Sequence, residues 1–342
     1  LFQADTFSAY VLGQLLLGTA AGLYWPAIEL AVPLNCGDLP SGRGYALVRS
    51  ADALGIGMGA FMGTIAASIG QLRLVYGVEA ICMASVLILI SVQPLLDERP
   101  MPQGTHSESS TGKLDLTWLP PLLPVLVVSV VATGILSLQQ SALPLDLVKG
   151  GLERPGLSES HSSALIAFQL TLLVLLQWPV GRWLSERSVG FGLSLSLVSF
   201  ATGCTLIGLS ALTASGTGLV MVALLPMAFA QAAFLPTATE AVVEETPPEH
   251  RGLAMAMFSQ CFALSAMAAP VVGGNLLDQQ GHGLTLWIGV AAISLAVLPL
   301  VKGLRPRFLG GVQGRTNNLS MLKQGVQAAS GSKERPVSSN NR

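Results

Sequence analysis

Apolar residues in this chain come in runs longer than a soluble domain uses. A helix needs about 20 mostly apolar residues to cross the hydrocarbon of a bilayer. On that ruler nine segments qualify, near 7–32, 44–69, 74–96, 118–144, 162–184, 189–213, 216–240, 252–277 and 283–304. The runs are continuous and rich in Leu, Ala and Gly, whereas a membrane strand would show about ten residues of strict alternation. They predict nine spanning helices and an all-α membrane protein. Pro26, Pro226, Pro236 and Pro270 fall inside the runs, where neighbouring helices and waters can satisfy the freed carbonyls.

Between the runs most connections are short, so consecutive helices should be antiparallel neighbours. Residues 97–117, DERPMPQGTHSESSTGKLDLT, are the exception: polar and rich in Ser, Thr, Gly and Pro, they read as a flexible linker between two bundles. Residues 305–342 are rich in Gly, Ser, Asn and Gln and read as a disordered tail.

Composition supports the same solvent. Of 342 residues, 51% are hydrophobic and only 11% are charged, against about 25% charged in a soluble domain. Mean hydropathy is +0.60. Eighteen Lys and Arg balance nineteen Asp and Glu, which excludes a basic nucleic-acid-binding face and a disordered chain. Cys36, Cys82, Cys204 and Cys261 are isolated in sequence and read as packing residues rather than a zinc site or disulfide framework. The chain begins at Leu1 with no basic n-region or cleavage site, so no signal peptide is expected and the start reads as a truncation.

The cations set an orientation. If the first span runs from outside to inside, Arg43, Arg49, Arg99, Lys113, Arg182, Arg187, Arg251, Lys302 and the seven cations of the tail lie on the cytoplasmic side, against Arg73, Lys149 and Arg154 outside. That bias places the linker and tail in the cytoplasm.

The first two spans also resemble the seventh and eighth. Tyr24-Trp25-Pro26, Glu29, Pro40 and Arg43-Gly44 recur in order as Phe234-Leu235-Pro236, Glu240, Pro248 and Arg251-Gly252. Small-residue runs follow each set: Gly55, Gly57, Gly59 and Gly63 in the one, Ala268, Ala269, Gly273 and Gly274 in the other. The offset, about 210 residues, exceeds any solenoid period. Two related bundles joined by a cytoplasmic linker is the parallel-repeat plan of one large transporter class.

With these residues in view, segment 1–304 resembles the major facilitator superfamily. PVGRWLSERSVG, from Pro179 to Gly190, is similar to that family's Gly-x-x-x-Asp-Arg loop, with Gly181, Glu186 and Arg187 at its characteristic positions. It departs in carrying Glu for Asp, one extra residue of spacing and no following basic pair. GMGAFMG keeps Gly59 and Gly63 of the antiporter-type glycine stretch, with Ala60 where that stretch has Pro; AAPVVGG keeps Pro270, Gly273 and Gly274. PPEHRG at 247–252 is similar to the family as well. The resemblance implies a polytopic helical bundle in two pseudo-symmetric halves. Residues 1–96 would be a partial N-terminal bundle of three helices, 97–117 the linker, and 118–304 a C-terminal six-helix bundle. The family's twelve helices then imply three more upstream, or about 90–110 residues at some 20 apolar residues per span plus loops.

Charges within spans cost about 2.5–3.5 kcal/mol by insertion scales and draw attention first. Arg49 and Asp52 lie one turn apart in the second span, Asp52 about 13 Å beyond Arg43 at 1.5 Å per residue. They read either as a gating or proton-coupling pair lining the cavity or as a structural pair with Arg49 reaching the interface. Glu29 and Glu240, near helix ends, are expected to be solvated or paired with loop cations. Gln139, Gln140, Gln169, Gln231 and Gln260 interrupt apolar spans. They should face the bundle interior, as substrate contacts or as interhelical hydrogen bonds. Gly55, Gly59 and Gly63, spaced four apart, permit close helix approach, as do Pro270, Gly273 and Gly274 in the repeat. His106, His161, His250 and His282 fall in loops without metal-ligand spacing, so no metal is expected. No phosphate-binding loop, nucleophile elbow or zincin motif occurs, so neither ATP, another cofactor nor enzyme chemistry is expected.

The resemblance implies secondary transport of a small solute by alternating access, in a monomer of the plasma (cell inner) membrane, with lipid around it and no nucleic acid. Arg182, Glu186 and Arg187, with Gly181, would close the cytoplasmic side in one state. Asp52 is the candidate proton- or cation-responsive group, and the antiporter-like glycines tilt the direction towards efflux. A non-transporting membrane scaffold or an inactive fragment of a transporter is the other reading carried by the sequence.

Overall fold

The computed structural model describes residues 6–36, 41–71, 73–92, 117–302 and 304. All regular structure among them is helical. In chain order the helices are α1 (Phe7–Asn35), α2 (Ser41–Ser68), α3 (Leu74–Val92), α4 (Leu119–Lys149), α5 (Glu159–Leu184), α6 (Val189–Ser210), α7 (Gly216–Glu245), α8 (Arg251–Gln280), α9 (Leu284–Ala296) and α10 (Leu298–Lys302), with a 3₁₀ turn at Pro248–His250. Except for Thr117, the linker expected at 97–117 lies outside the described residues, as does 305–342.

Local chemistry sets the ends. The hydroxyls of Thr6, Ser158 and Ser188 accept from the backbone N–H three residues on, capping α1, α5 and α6. Gly150 and Gly281 close α4 and α8 at φ 88° and 74°, angles at which a Cβ would be strained. Eight helical stretches are long and apolar enough to cross a membrane, the last running from Leu284 to Val301. That ninth hydrophobic run is not one regular helix, because Pro299 has no N–H to give to Leu295 and the chain breaks at Val297. Helix α2 is not among the eight; its apolar run is diluted by Arg43, Arg49, Asp52 and glycines.

The core lies where α4, α6, α7, α8 and α9 meet. Leu193, Leu197, Phe200, Cys204, Met227, Phe234, Phe258 and Trp287 are buried there. Small residues bring the helices together. A Cβ on Gly203 would strike Met227, one on Gly208 would press on Ile288, and one on Gly273 would come within 2.8 Å of Leu138 and 2.9 Å of Ala142. Across the α4–α8 seam the Thr133 and Ser265 hydroxyls lie 2.8 Å apart, one donating to the other, and the carbonyls of Cys261 and Val130, 3.2 Å from Thr133 and Ser265 respectively, are further acceptors within reach. Such bonds satisfy hydroxyls that hydrocarbon would leave unpaired.

Helix α3 buries no residue, although its apolar window has mean hydropathy 2.2. Ile81, Leu87, Ile88, Leu89 and Val92 point outward. An apolar surface of this extent needs an apolar medium.

Candidate functional site

At one end of the bundle three helices converge. Gly181, buried on α5, touches Ala46 on α2: a Cβ at position 181 would sit 2.7 Å from the Ala46 Cβ. That approach carries Arg43, at the start of α2, to the turn after α5, where its Nη2 donates to Glu186 Oε1 at 2.8 Å. The carboxylate of Glu240 on α7 lies against Gly42, at the same helix start. Towards the middle of the bundle Ala53 packs with Leu173, Val180, Leu184, Ala232 and Ala233, closing α2 onto α5 and α7. The Arg43 and Glu186 side chains remain 36% and 64% exposed. A pair so exposed contributes at most about 1 kcal/mol, and so can form and break without a large barrier.

Two residues expected at this closure stand apart from it. Arg182 is exposed on α5. Arg187 turns outward, its guanidinium carbon 5.1 Å from the Trp183 ring and 5.5 Å from that of Phe191. Arg43, which the sequence marks only as a cation of the repeat, takes the place expected of them.

A second cluster lies one to two turns deeper. Arg49 on α2 forms an ion pair with Glu29 on α1 and reaches Asp52 Oδ2 at 3.5 Å. The Trp25 ring lies 5.8 Å from its guanidinium carbon. Tyr45 donates to the Glu29 carbonyl at 3.0 Å and fastens the two helices. The side chains of Arg49 and Glu29 are 8% and 7% exposed; that of Asp52 is 27% exposed. Glu29 is therefore neither solvated nor paired with a loop cation, the two states expected of it; its partner Arg49 lies within α2. The α1–α2 hairpin folds it under Arg49, and its second oxygen, Oε2, has no hydrogen-bond partner. One buried cation thus stands between a dry carboxylate and a wetter one.

The glutamines do not share one position. Gln139 and Gln169 are buried, Gln231 is half-buried, and Gln140 and Gln260 are exposed. Gln260 lines a cavity of about 480 Å³ with Val130, Met257, Cys261, Ala263, Leu264 and Met267, between α4 and α8. Gln139 Nε2 is buried without a partner. Gln177, which sequence reasoning missed, is wholly buried on α5 and donates to the Ala232 carbonyl on α7 at 3.3 Å. Its place in the run LLQWPVG was the available signal.

No described atom lies within 4 Å of a Cβ built on Gly55, Gly59 or Gly63. The close approach expected there is not made by the described residues. In the repeat, Gly273 packs on α4, Gly274 meets nothing, and Pro270 is exposed.

The opposite end carries a cluster that the sequence did not suggest. Arg154, which the sequence places on the outer side without a partner, is completely buried. Its guanidinium bonds the Asp146 carboxylate at 3.2 Å, the Asp146 carbonyl at 2.9 Å and Ser210 Oγ at 2.5 Å. The Trp287 indole donates to the same carboxylate at 3.1 Å. The loop returns to α4 through Gly151 N to the Arg154 carbonyl and Leu157 N to that of Leu147. This knot ties α4, α6 and α9 together. Nearby, Lys149 pairs with Asp278 at 2.5 Å. At this end, then, both Lys149 and Arg154 are matched by carboxylates.

Among the described residues no group of three His, Cys, Asp or Glu could hold a metal. His161 bonds Ser158 at 2.6 Å and His250 stacks on Trp118 at 5.1 Å. Burial pushes the Cys36 thiol up, which disfavours the reactive thiolate.

The geometry is thus a helical bundle with a weak ion-pair closure at one end, a buried charge cluster beside it and a rigid knot at the other. No curated protein sequence matches the chain. The sequence profile of the Major Facilitator Superfamily matches residues 125–323, more than half of the 342. The chain belongs to the Major Facilitator Superfamily, a family of membrane transporters.

Proposed function

We propose that the protein is a secondary transporter that moves a small solute by alternating access, with proton movement coupled at the Glu29–Arg49–Asp52 cluster. The observation that carries this reading is the Arg43–Glu186 bridge seated on the Gly181–Ala46 contact. It joins helices from the two halves at one end by a bond weak enough to open in each cycle. The Arg43 end faces the cytoplasm, because Arg43, Arg49, Arg182, Arg187 and Arg251 lie at or near it, against Lys149 and Arg154 at the other end.

Coupling follows from Arg49 having two carboxylates. When Asp52 is ionised, Arg49 is shared between it and Glu29. A proton on Asp52 leaves Arg49 to Glu29 alone and removes the negative charge from the wetter side of the cluster. The solute is identified first, by a thermal-stabilisation screen of sugars, amino acids, organic anions and drugs on the purified protein. Its flux is then followed in proteoliposomes with and without a pH gradient. Asp52→Asn is expected to leave flux insensitive to the gradient. An unchanged pH dependence in that variant refutes the coupling role.

A further inference from the structure

The outward face of α5 changes character along its length. Leu175 and Trp178 are exposed on it, followed by Arg182 and Trp183, and Arg187 comes in the turn beyond. At 1.5 Å per residue, Leu175 and Arg182 are about 10 Å apart along the axis. Apolar residue, then indole, then cation is the order in which a bilayer passes from hydrocarbon to headgroup. The opposite face of α5, with Leu173, Gln177, Val180, Gly181 and Leu184, is buried in the protein. The stripe therefore faces away from the packed helices.

The two cations of this stripe are exposed, and among the described residues neither meets a carboxylate. Glu186, between them in sequence, is taken by Arg43. Arg187 is held between Trp183 and Phe191, two rings that themselves meet edge to face at 5.9 Å. Stacking fixes the plane of a guanidinium and leaves its N–H edge free for an oxyanion. A guanidinium fork matches the two oxygens of a phosphodiester. The exposed indoles and Leu175 offer apolar surface for the glycerol and upper acyl carbons.

We propose that Arg182, Arg187, Trp178 and Trp183 form a binding site for the headgroup of an anionic phospholipid at the membrane surface. The two guanidinium groups take the phosphodiester, and the indoles flank the backbone of the lipid. The site is independent of which solute the protein carries.

The test uses the purified protein in vesicles of phosphatidylcholine with a minor fraction of phosphatidylglycerol. A nitroxide near the headgroup is placed on one lipid or the other at equal mole fraction, and tryptophan fluorescence is read. Labelled phosphatidylglycerol is expected to quench more strongly than labelled phosphatidylcholine. A cation at an anionic surface gives roughly a fivefold preference, so R182Q/R187Q should remove most of the excess. W178F/W183F should remove the excess as well, leaving the quenching of the partly exposed Trp25, which is expected to be equal for the two lipids. If the double arginine variant does not fold, raising the salt concentration on the unaltered protein serves instead, since the excess should fall while phosphatidylcholine quenching stays constant. Equal quenching by the two lipids overturns the proposal, as does an excess that survives in R182Q/R187Q or in high salt. Loss of the excess on adding millimolar inorganic phosphate also overturns it, by assigning the site to a soluble anion.

Discussion

Arg49→Leu is expected to destabilise the folded protein by about 3–5 kcal/mol, the cost of breaking a buried ion pair from one side. The substitution leaves the Glu29 carboxylate 7% exposed and facing Leu. Glu29 Oε2 already lacks a hydrogen bond, so the neighbourhood offers the stranded charge nothing else. Glu29→Gln/Arg49→Leu removes both charges and should recover most of the loss, because an apolar or neutral pair of similar volume avoids the desolvation cost. Reversible unfolding in SDS, followed by tryptophan fluorescence, measures both. A double variant no more stable than the single one would mean that Arg49 acts mainly through its packing on Trp25. The comparison also bears on function, because a cation that holds one carboxylate this firmly leaves Asp52 as the partner that can come and go.

Arg154→Met should cost as much or more. The residue is wholly enclosed, and its guanidinium bonds Ser210 and both the carbonyl and the carboxylate of Asp146. Removing it leaves Asp146 buried with the Trp287 N–H as its remaining side-chain donor. The expected loss is again about 3–5 kcal/mol. Lys149→Ala, which breaks the exposed pair with Asp278, should change stability by no more than about 1 kcal/mol; that pair is 36% and 75% exposed. Both variants lie at the same end of the bundle, so the contrast isolates burial. Equal effects in the same SDS unfolding measurement would show that the Arg154 knot is wet.

Those two clusters also mark how far the sequence could be read. Helices were legible because each hydrophobic run needs no partner to be recognised, and even α2 met the same apolar-length ruler despite its charges. Arg49 with Asp52 was legible because a spacing of three puts both on one face of a helix. Glu29 was not: its partner is 20 positions away, across a hairpin whose register no local pattern fixes. Arg43 and Glu186, 143 apart, were each noticed but not joined, since only the Gly181–Ala46 approach brings them together. The burial of Arg154 was not legible, because the backbone bonds that fold its loop back over α4 follow no local pattern. The glycines at 55, 59 and 63 misled in the opposite sense. Small residues permit contact but do not compel it, and no described helix occupies the space beside them.

The account rests most heavily on the Arg43 end opening and closing during transport. R43C/E186C, made in a background with the four native cysteines replaced by Ala, places two thiols where the bridge now stands. A short cleavable dithiol crosslinker can then lock them in proteoliposomes. The account predicts that solute flux falls to background when the lock is complete and returns when it is reduced. Undiminished flux through fully crosslinked protein would contradict it.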